Sequence, residues 1–140
     1  MTAVLDANVV VKWFVADPLR EAALEARLAW PSPIAPSLLT VELANAFRRY
    51  VVQQGFDRDV ARANIDLVGR MVRLIDHKTY LDEAVVMACD RNHSVQDCLY
   101  AVMALRQGLP LVTADGKLAR KLGDVAGLDI RLIGQSKDLE

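Results

Sequence analysis

Four carboxylates in this chain stand in unusual company. Asp6 closes the apolar run Ala3-Val4-Leu5, and Asp115 comes two residues after Leu111-Val112-Thr113. Glu42 is flanked by Leu38, Leu39, Val41, Leu43 and Ala44, while Asp97 is followed by Cys98, Leu99, Ala101 and Val102. A carboxylate among apolar groups is costly, because desolvation disfavours its charged form. Two unit charges about 4 Å apart repel by roughly 4 kcal/mol at an effective dielectric near 20. If these acids meet, they need a counter-charge, and no Lys or Arg stands beside Asp6, Glu42 or Asp97 in the sequence. A hard divalent cation, Mg²⁺ or Mn²⁺, would supply it, since clustered carboxylates without His or Cys select such ions over zinc. The chemistry that such an ion favours is attack of an activated water on a phosphodiester, with the leaving oxygen stabilised.

Each acid also has a purely structural reading. Asp6 and Asp115 stand where helices start and could be N-caps. Ser94-Val95-Gln96-Asp97 fits a capping box. Glu42 falls in the second turn of a helix, where the macrodipole favours an anion. From the residues alone both readings stay open.

Other polar groups are weaker candidates. Arg49 lies seven residues beyond Glu42, two turns along the same helix face, where it could hold a phosphate. Asn45 shares that face as a supporting residue or as ordinary surface. Lys117, Arg120 and Lys121 read as a solvated short helix. His77 and His93 are isolated and read as surface or loop residues. Trp13, Phe14, Trp30 and Tyr100 read as core or interface. Cys89 and Cys98 lie among apolar neighbours without paired histidines, so they read as reduced core residues, not a zinc site or disulfide.

The elements that must position these groups follow from periodicity and punctuation. Ala3–Leu5 reads as a buried strand, then a helix over Val9–Val15. Asp17-Pro18 opens a second helix to Ala29, and Trp30-Pro31-Ser32-Pro33 breaks it. Ile34-Ala35-Pro36 is a short extended piece. Ser37 caps a long helix through Gln54, closed by Gly55. Asp57 opens a helix with Val60, Ile65, Leu67 and Val68 as its apolar members, and Val72–Ile75 is a strand. Tyr80–Arg91 is a helix with Leu81, Ala84, Val85 and Ala88 on one stripe, and Ser94–Gln107 is another. Leu111–Thr113, Asp115–Leu122 and Ile130–Ile133 read as strand, helix and strand. Continuous apolar strands alternating with helices predict a mainly parallel sheet covered on both faces, a three-layer α/β sandwich. Sites in such sheets form beyond the carboxyl ends of the strands, where Asp6 and Asp115 both fall. The apolar helices over Val9–Val15 and Phe47–Val52 are expected to contribute partner or dimer surfaces.

Composition bounds the rest. At 140 residues, with 53% hydrophobic and 25% charged residues, the chain can bury one core. A single domain over 1–134 and a polar tail over 135–140 are expected. No apolar run reaches the roughly 18 residues that a span needs, and the start lacks a signal-peptide pattern, so a cytoplasmic protein without membrane association is expected. The 17 basic and 18 acidic residues give a net charge of −1, so nucleic acid would have to be held by a local patch or a metal, not by bulk charge. Of the acids 13 are Asp and 5 Glu, an excess of the poorer helix former that suits caps, turns or a site.

The motifs together resemble the PIN domain, and within it the VapC-type toxins. Val4-Leu5-Asp6-Ala7-Asn8 resembles the family's first strand and acid, and Pro36 to Arg49 resembles its second-acid helix. Ser94-Val95-Gln96-Asp97-Cys98-Leu99-Tyr100-Ala101 resembles the third-acid helix, and Leu111-Val112-Thr113-Ala114-Asp115 the strand and turn with the last acid. All four occur in order over nearly the whole chain. Gln96 stands where an aromatic is common and Cys98 where Ala is usual; neither is a ligand position. The resemblance implies a PIN-like fold with a metal-binding pocket of Asp6, Glu42, Asp97 and Asp115, supported by Thr113 and Asn8. It implies an Mg²⁺- or Mn²⁺-dependent endoribonuclease leaving a 5′-phosphate and a 3′-hydroxyl. It also implies a cognate antitoxin and a homodimer.

Three competitors are weighed on particular positions. A haloacid-dehalogenase-like phosphatase needs a second Asp two residues after the first, where this chain has Asn8. A receiver-like module wants paired acids at the first strand and a Lys after the last, where Gly134 and Gln135 stand. A catalytically silent PIN-fold binding module would be expected to have lost an acid, and all four are present.

Overall fold

The computed structural model describes residues 1–134; the expected polar tail lies outside the described residues. Five short strands of the described residues form one sheet: β1 (Val4–Leu5), β2 (Ile34–Pro36), β3 (Arg73–Ile75), β4 (Leu111–Thr113) and β5 (Ile130–Leu132). Their order is β3-β2-β1-β4-β5, and every neighbouring pair is parallel. The chain thus winds outward from β1 through β2 to β3, then returns to β1's other side. The reversal between β1 and β4 is the switch point at which α/β sheets open a crevice.

Among the described residues seven α-helices cover the sheet: α1 (Ala7–Val10), α2 (Arg20–Ala29), α3 (Leu38–Gln54), α4 (Arg58–Met71), α5 (Lys78–Arg91), α6 (Val95–Gln107) and α7 (Gly116–Leu122). Apolar side chains of β1 and β4 are buried, and α6 is the most enclosed of the long helices, with Cys98 through Ala104 all buried. Gly55 and Gly108 end α3 and α6 at positive φ of 69° and 66°, a left-handed conformation that Gly adopts without a Cβ clash.

Several elements depart from the sequence-based expectation. The first helix begins at Ala7, not Val9, and tightens into a 3₁₀ turn over Val11–Trp13. Its side chains Val9, Val10, Val11, Trp13 and Val15 are buried in the chain's own core, so this segment is not a partner surface. The second helix starts at Arg20, because Asp17 uses its carboxylate on the Leu19 N–H at 2.8 Å and forms a lead-in turn. Ser37 precedes α3 without capping it, since its hydroxyl pairs with His77 Nδ1 at 2.8 Å and accepts from the His77 N–H. His77 lies in the β3–α5 turn, within the surface-or-loop expectation, and is there a part-buried tie to the β2–α3 turn.

The apolar stripes of α4 and α5 are only half covered. Val68 is buried, as are Ala84 and Ala88, but Val60, Leu67, Leu81 and Val85 are exposed. Cys89 is exposed on α5, against the core reading, while Cys98 is buried; both are free thiols. Between α3 and α4 an apolar groove is lined by Phe47, Val51, Val52, Ala61 and Ile65. Phe47 is buried beneath it and Val52 exposed, so the Phe47–Val52 segment does reach the surface. None of the described helices is long and apolar enough to cross a membrane.

Candidate active site

β1 delivers Asp6 to the switch point. Its backbone N–H donates to Val112 O at 3.0 Å, which fixes the residue against β4. The residue is only 4% exposed and its carboxylate makes no cap bond to α1, so the N-cap reading fails for Asp6. Instead Thr113 Oγ1, also buried, donates to Asp6 Oδ2 at 2.8 Å. The same hydroxyl accepts from the Asp115 N–H at 3.1 Å. Asn8 Oδ1 accepts from the Ala114 N–H at 2.9 Å, tying α1 to the turn after β4. Thr113 therefore contacts Asp6 directly, while Asn8 holds the turn between Thr113 and Asp115.

α3 and α6 bring two further acids. Tyr100, fully buried on α6, donates its hydroxyl to Glu42 Oε1 on α3 at 2.6 Å. The Asp97 N–H donates to Ser94 Oγ at 3.2 Å, so Ser94 is the cap of α6 as the sequence suggested. The Asp97 carboxylate does not return to Ser94; its Oδ2 lies 2.7 Å from His93 Nε2. His93 stands in the loop before α6, within the surface-or-loop expectation, but its side chain is turned inward, 7% exposed against 23% for Asp97. Its place just before a cap and four residues from an acid was the available signal.

The charges act on one another. Burial raises the Asp6 carboxyl to about 7; the Thr113 hydrogen bond opposes this, and the charges of Asp97 and Glu42 add to it. Glu42 is raised by burial, against the Tyr100 hydrogen bond, and by Asp97. The Tyr100 phenol is held well above its ordinary value by burial and by the neighbouring acids.

Asp115 stands apart. Its Oδ1 accepts from the Lys117 and Leu118 N–H groups at 2.9 and 3.2 Å, so it caps α7. It is not among the charges acting on Asp6, nor among the residues lining the cleft. The structure therefore joins three of the four predicted acids, with the fourth linked to them through Thr113.

Asp6, Glu42 and Asp97 line a cleft of about 460 Å³ that also meets Asn45 and Arg49 of α3. Lys12, which sequence reasoning passed over, lines it as well, with Nζ donating to Asn8 O at 2.7 Å. Among the described residues neither Lys12 nor Arg49 is in an ion pair, so the cleft has an acidic floor and two cations unpaired with acids. Among the described residues no three His, Cys, Asp or Glu side chains are grouped so as to hold a metal ion between them. The donor chemistry nonetheless fits Mg²⁺ or Mn²⁺. The buried Asp6 lacks a counter-charge, the donors are all oxygen, and Mg²⁺ keeps several waters while taking one or two carboxylates.

Residues 3–123 match the family model of the PIN domain. Ribonuclease VapC12 of Mycobacterium tuberculosis (strain CDC 1551 / Oshkosh) is 30% identical over 128 residues, 91% of this chain and 97% of that protein. The crystal structure of PAE2754 from Pyrobaculum aerophilum is similar at a TM-score of 0.67 and 22% identity, covering 93% of this chain and 92% of that one. VapBC2 from Rickettsia felis, crystallised bound to a DNA fragment from its promoter, contains a chain similar at a TM-score of 0.64 and 18% identity, covering 95% of this chain and 99% of that one.

Proposed function

This chain belongs to the PIN-domain family, and on that premise we propose that it is a divalent-metal-dependent endoribonuclease, the toxin of a toxin–antitoxin pair. The observation that carries the reading is the buried Asp6 carboxylate, raised to about 7 and facing Glu42 and Asp97 without a counter-charge. Asp6, Glu42 and Asp97 would hold Mg²⁺ or Mn²⁺, with Asp115 the remaining acid of the set. When bound, the ion supplies an activated water and neutralises charge on the scissile phosphate and leaving oxygen. The chain's own residues prepare the place. Thr113 fixes Asp6, and Asn8 fixes the turn after β4. Lys12 and Arg49 line the cleft as the cations that can take a phosphate's charge, and Asn45 offers an amide beside them. With a net charge of −1, such a local patch is what RNA binding requires.

A relative named as a ribonuclease and a similar chain from a VapBC complex support a cognate antitoxin as partner. Exposed Val41, Val52, Val60 and Leu67 on α3 and α4 offer apolar surface for that partner or for a second copy in a homodimer. The proposed compartment is the cytoplasm, where cellular RNA is available. The competing reading, a catalytically silent binding module, draws on Asp115, which caps α7 instead of lining the cleft.

One assay separates them. Purified chain without antitoxin is given mixed cellular RNA with Mg²⁺ or Mn²⁺, then with EDTA, beside Asp6→Asn. Metal-dependent cleavage leaving 5′-phosphate ends, absent from Asp6→Asn, is expected. A folded parent that cuts no RNA under either metal would favour the binding module.

A further inference from the structure

Each cleft carboxylate is met by one dedicated side-chain donor from elsewhere in the chain. Thr113 serves Asp6 at 2.8 Å, Tyr100 serves Glu42 at 2.6 Å, and His93 serves Asp97 at 2.7 Å. An ionised carboxylate only accepts hydrogen bonds, so His93 must carry its proton on Nε2. Tyr100 is fully buried and the His93 side chain nearly so, which makes both donors part of a fixed framework. In each pair the donor engages one oxygen, Glu42 Oε1 or Asp97 Oδ2. The second oxygen has no hydrogen bond among the described residues, yet no buried side-chain oxygen is left unsatisfied there. Those free oxygens are therefore solvent-accessible, on residues that line the cleft.

We propose that His93 and Tyr100 are positioning residues: each pins one oxygen of its carboxylate, Asp97 and Glu42 respectively, so that the other is presented to a divalent cation. This rests on the metal-site reading of the cleft given above. A carboxylate pinned through one oxygen by a buried donor has already lost much of the rotamer freedom that binding would otherwise remove, and its orientation is set before the ion arrives. Partners of this kind carry a measurable share of metal affinity, typically about 10–100-fold on removal. A merely structural Tyr or His would instead lower melting temperature and leave metal affinity alone.

The test is calorimetric titration of the full chain with Mn²⁺, alongside metal-free melting and RNA cleavage against Mn²⁺ concentration. The variants are Tyr100→Phe, His93→Ala and His93→Gln. Tyr100→Phe removes only the hydroxyl, and His93→Gln keeps a donor near the place of Nε2. Tyr100→Phe and His93→Ala are expected to bind Mn²⁺ about 10–100-fold more weakly, with cleavage restored by excess Mn²⁺. His93→Gln should bind within about threefold of the parent. Mn²⁺ affinity within about twofold of the parent in Tyr100→Phe overturns the inference, even if His93→Ala does not fold. A parent that binds no Mn²⁺ overturns both this inference and the metal-site reading beneath it.

Discussion

Asp6 is the residue on which the site turns. Its burial was legible in the sequence, because an acid that closes an apolar strand run must either find a partner or stay protonated. The structure gives it Thr113, which opposes the upward shift, and two like charges that add to it. Replacing Asp6 with Asn keeps the shape and removes the charge. RNA cleavage should fall by at least about a hundredfold, because the stabilisation of developing charge is lost. Parent-like cleavage in this variant would remove Asp6 from the chemistry. The donors to the other acids could not be read the same way. Tyr100 sits 58 residues from Glu42 and fits an apolar helix stripe, so periodicity reports its ring and is silent about its hydroxyl. Lys12 is masked by the apolar run around it, and only the turn from α1 into 3₁₀ geometry brings it to the cleft.

Elements were legible in proportion to their length and punctuation. α4 starts at Asp57, whose Oδ1 accepts from the Asp59 and Val60 N–H groups at 2.7 and 3.2 Å. Asp57→Ala should lower stability by about 1 kcal/mol, read as a denaturant midpoint shift, and leave RNA cleavage unchanged, since α4 supplies nothing to the cleft. A variant as stable as the parent would show the cap to be idle. The β2 strand was readable only as an extended piece, because three residues show neither alternation nor length. The exposure of Leu81 and Val85 was unreadable for a different reason. Helical spacing tells which residues share a face, and the packing of other elements decides whether anything covers it. The same logic sent Val9–Trp13 inward: the segment was recognised as apolar, and its seat against the core was settled by the β1–β4 pairing beneath it.

At the scale of the whole molecule the cleft sets a tension between folding and function. The order of the sheet carries Asp6 into the interior while the unfolded chain leaves it in water. Its carboxyl titrates near the ordinary 3.8 when unfolded and at about 7 when folded. Between about pH 4 and pH 7 the native state therefore holds more protons than the unfolded state, and stability falls as pH rises through that window. The full effect, present above pH 7, is about 4 kcal/mol at roughly 1.36 kcal/mol per pH unit. Glu42 is raised too and acts in the same direction. For a chain of this size that corresponds to a drop in melting temperature on the order of 10 °C. The metal-free parent should thus melt markedly lower at pH 7.5 than at pH 5, and Asp6→Asn should flatten most of that difference. Saturating Mg²⁺ or Mn²⁺ should raise the parent's melting temperature more at pH 7.5 than at pH 5, because the ion replaces the proton as counter-charge, and EDTA should reverse the gain. A parent whose metal-free melting temperature is the same at both values would mean that the Asp6 carboxylate has a compensating cation in solution, and the case for a divalent ion in this cleft would lose its physical cause.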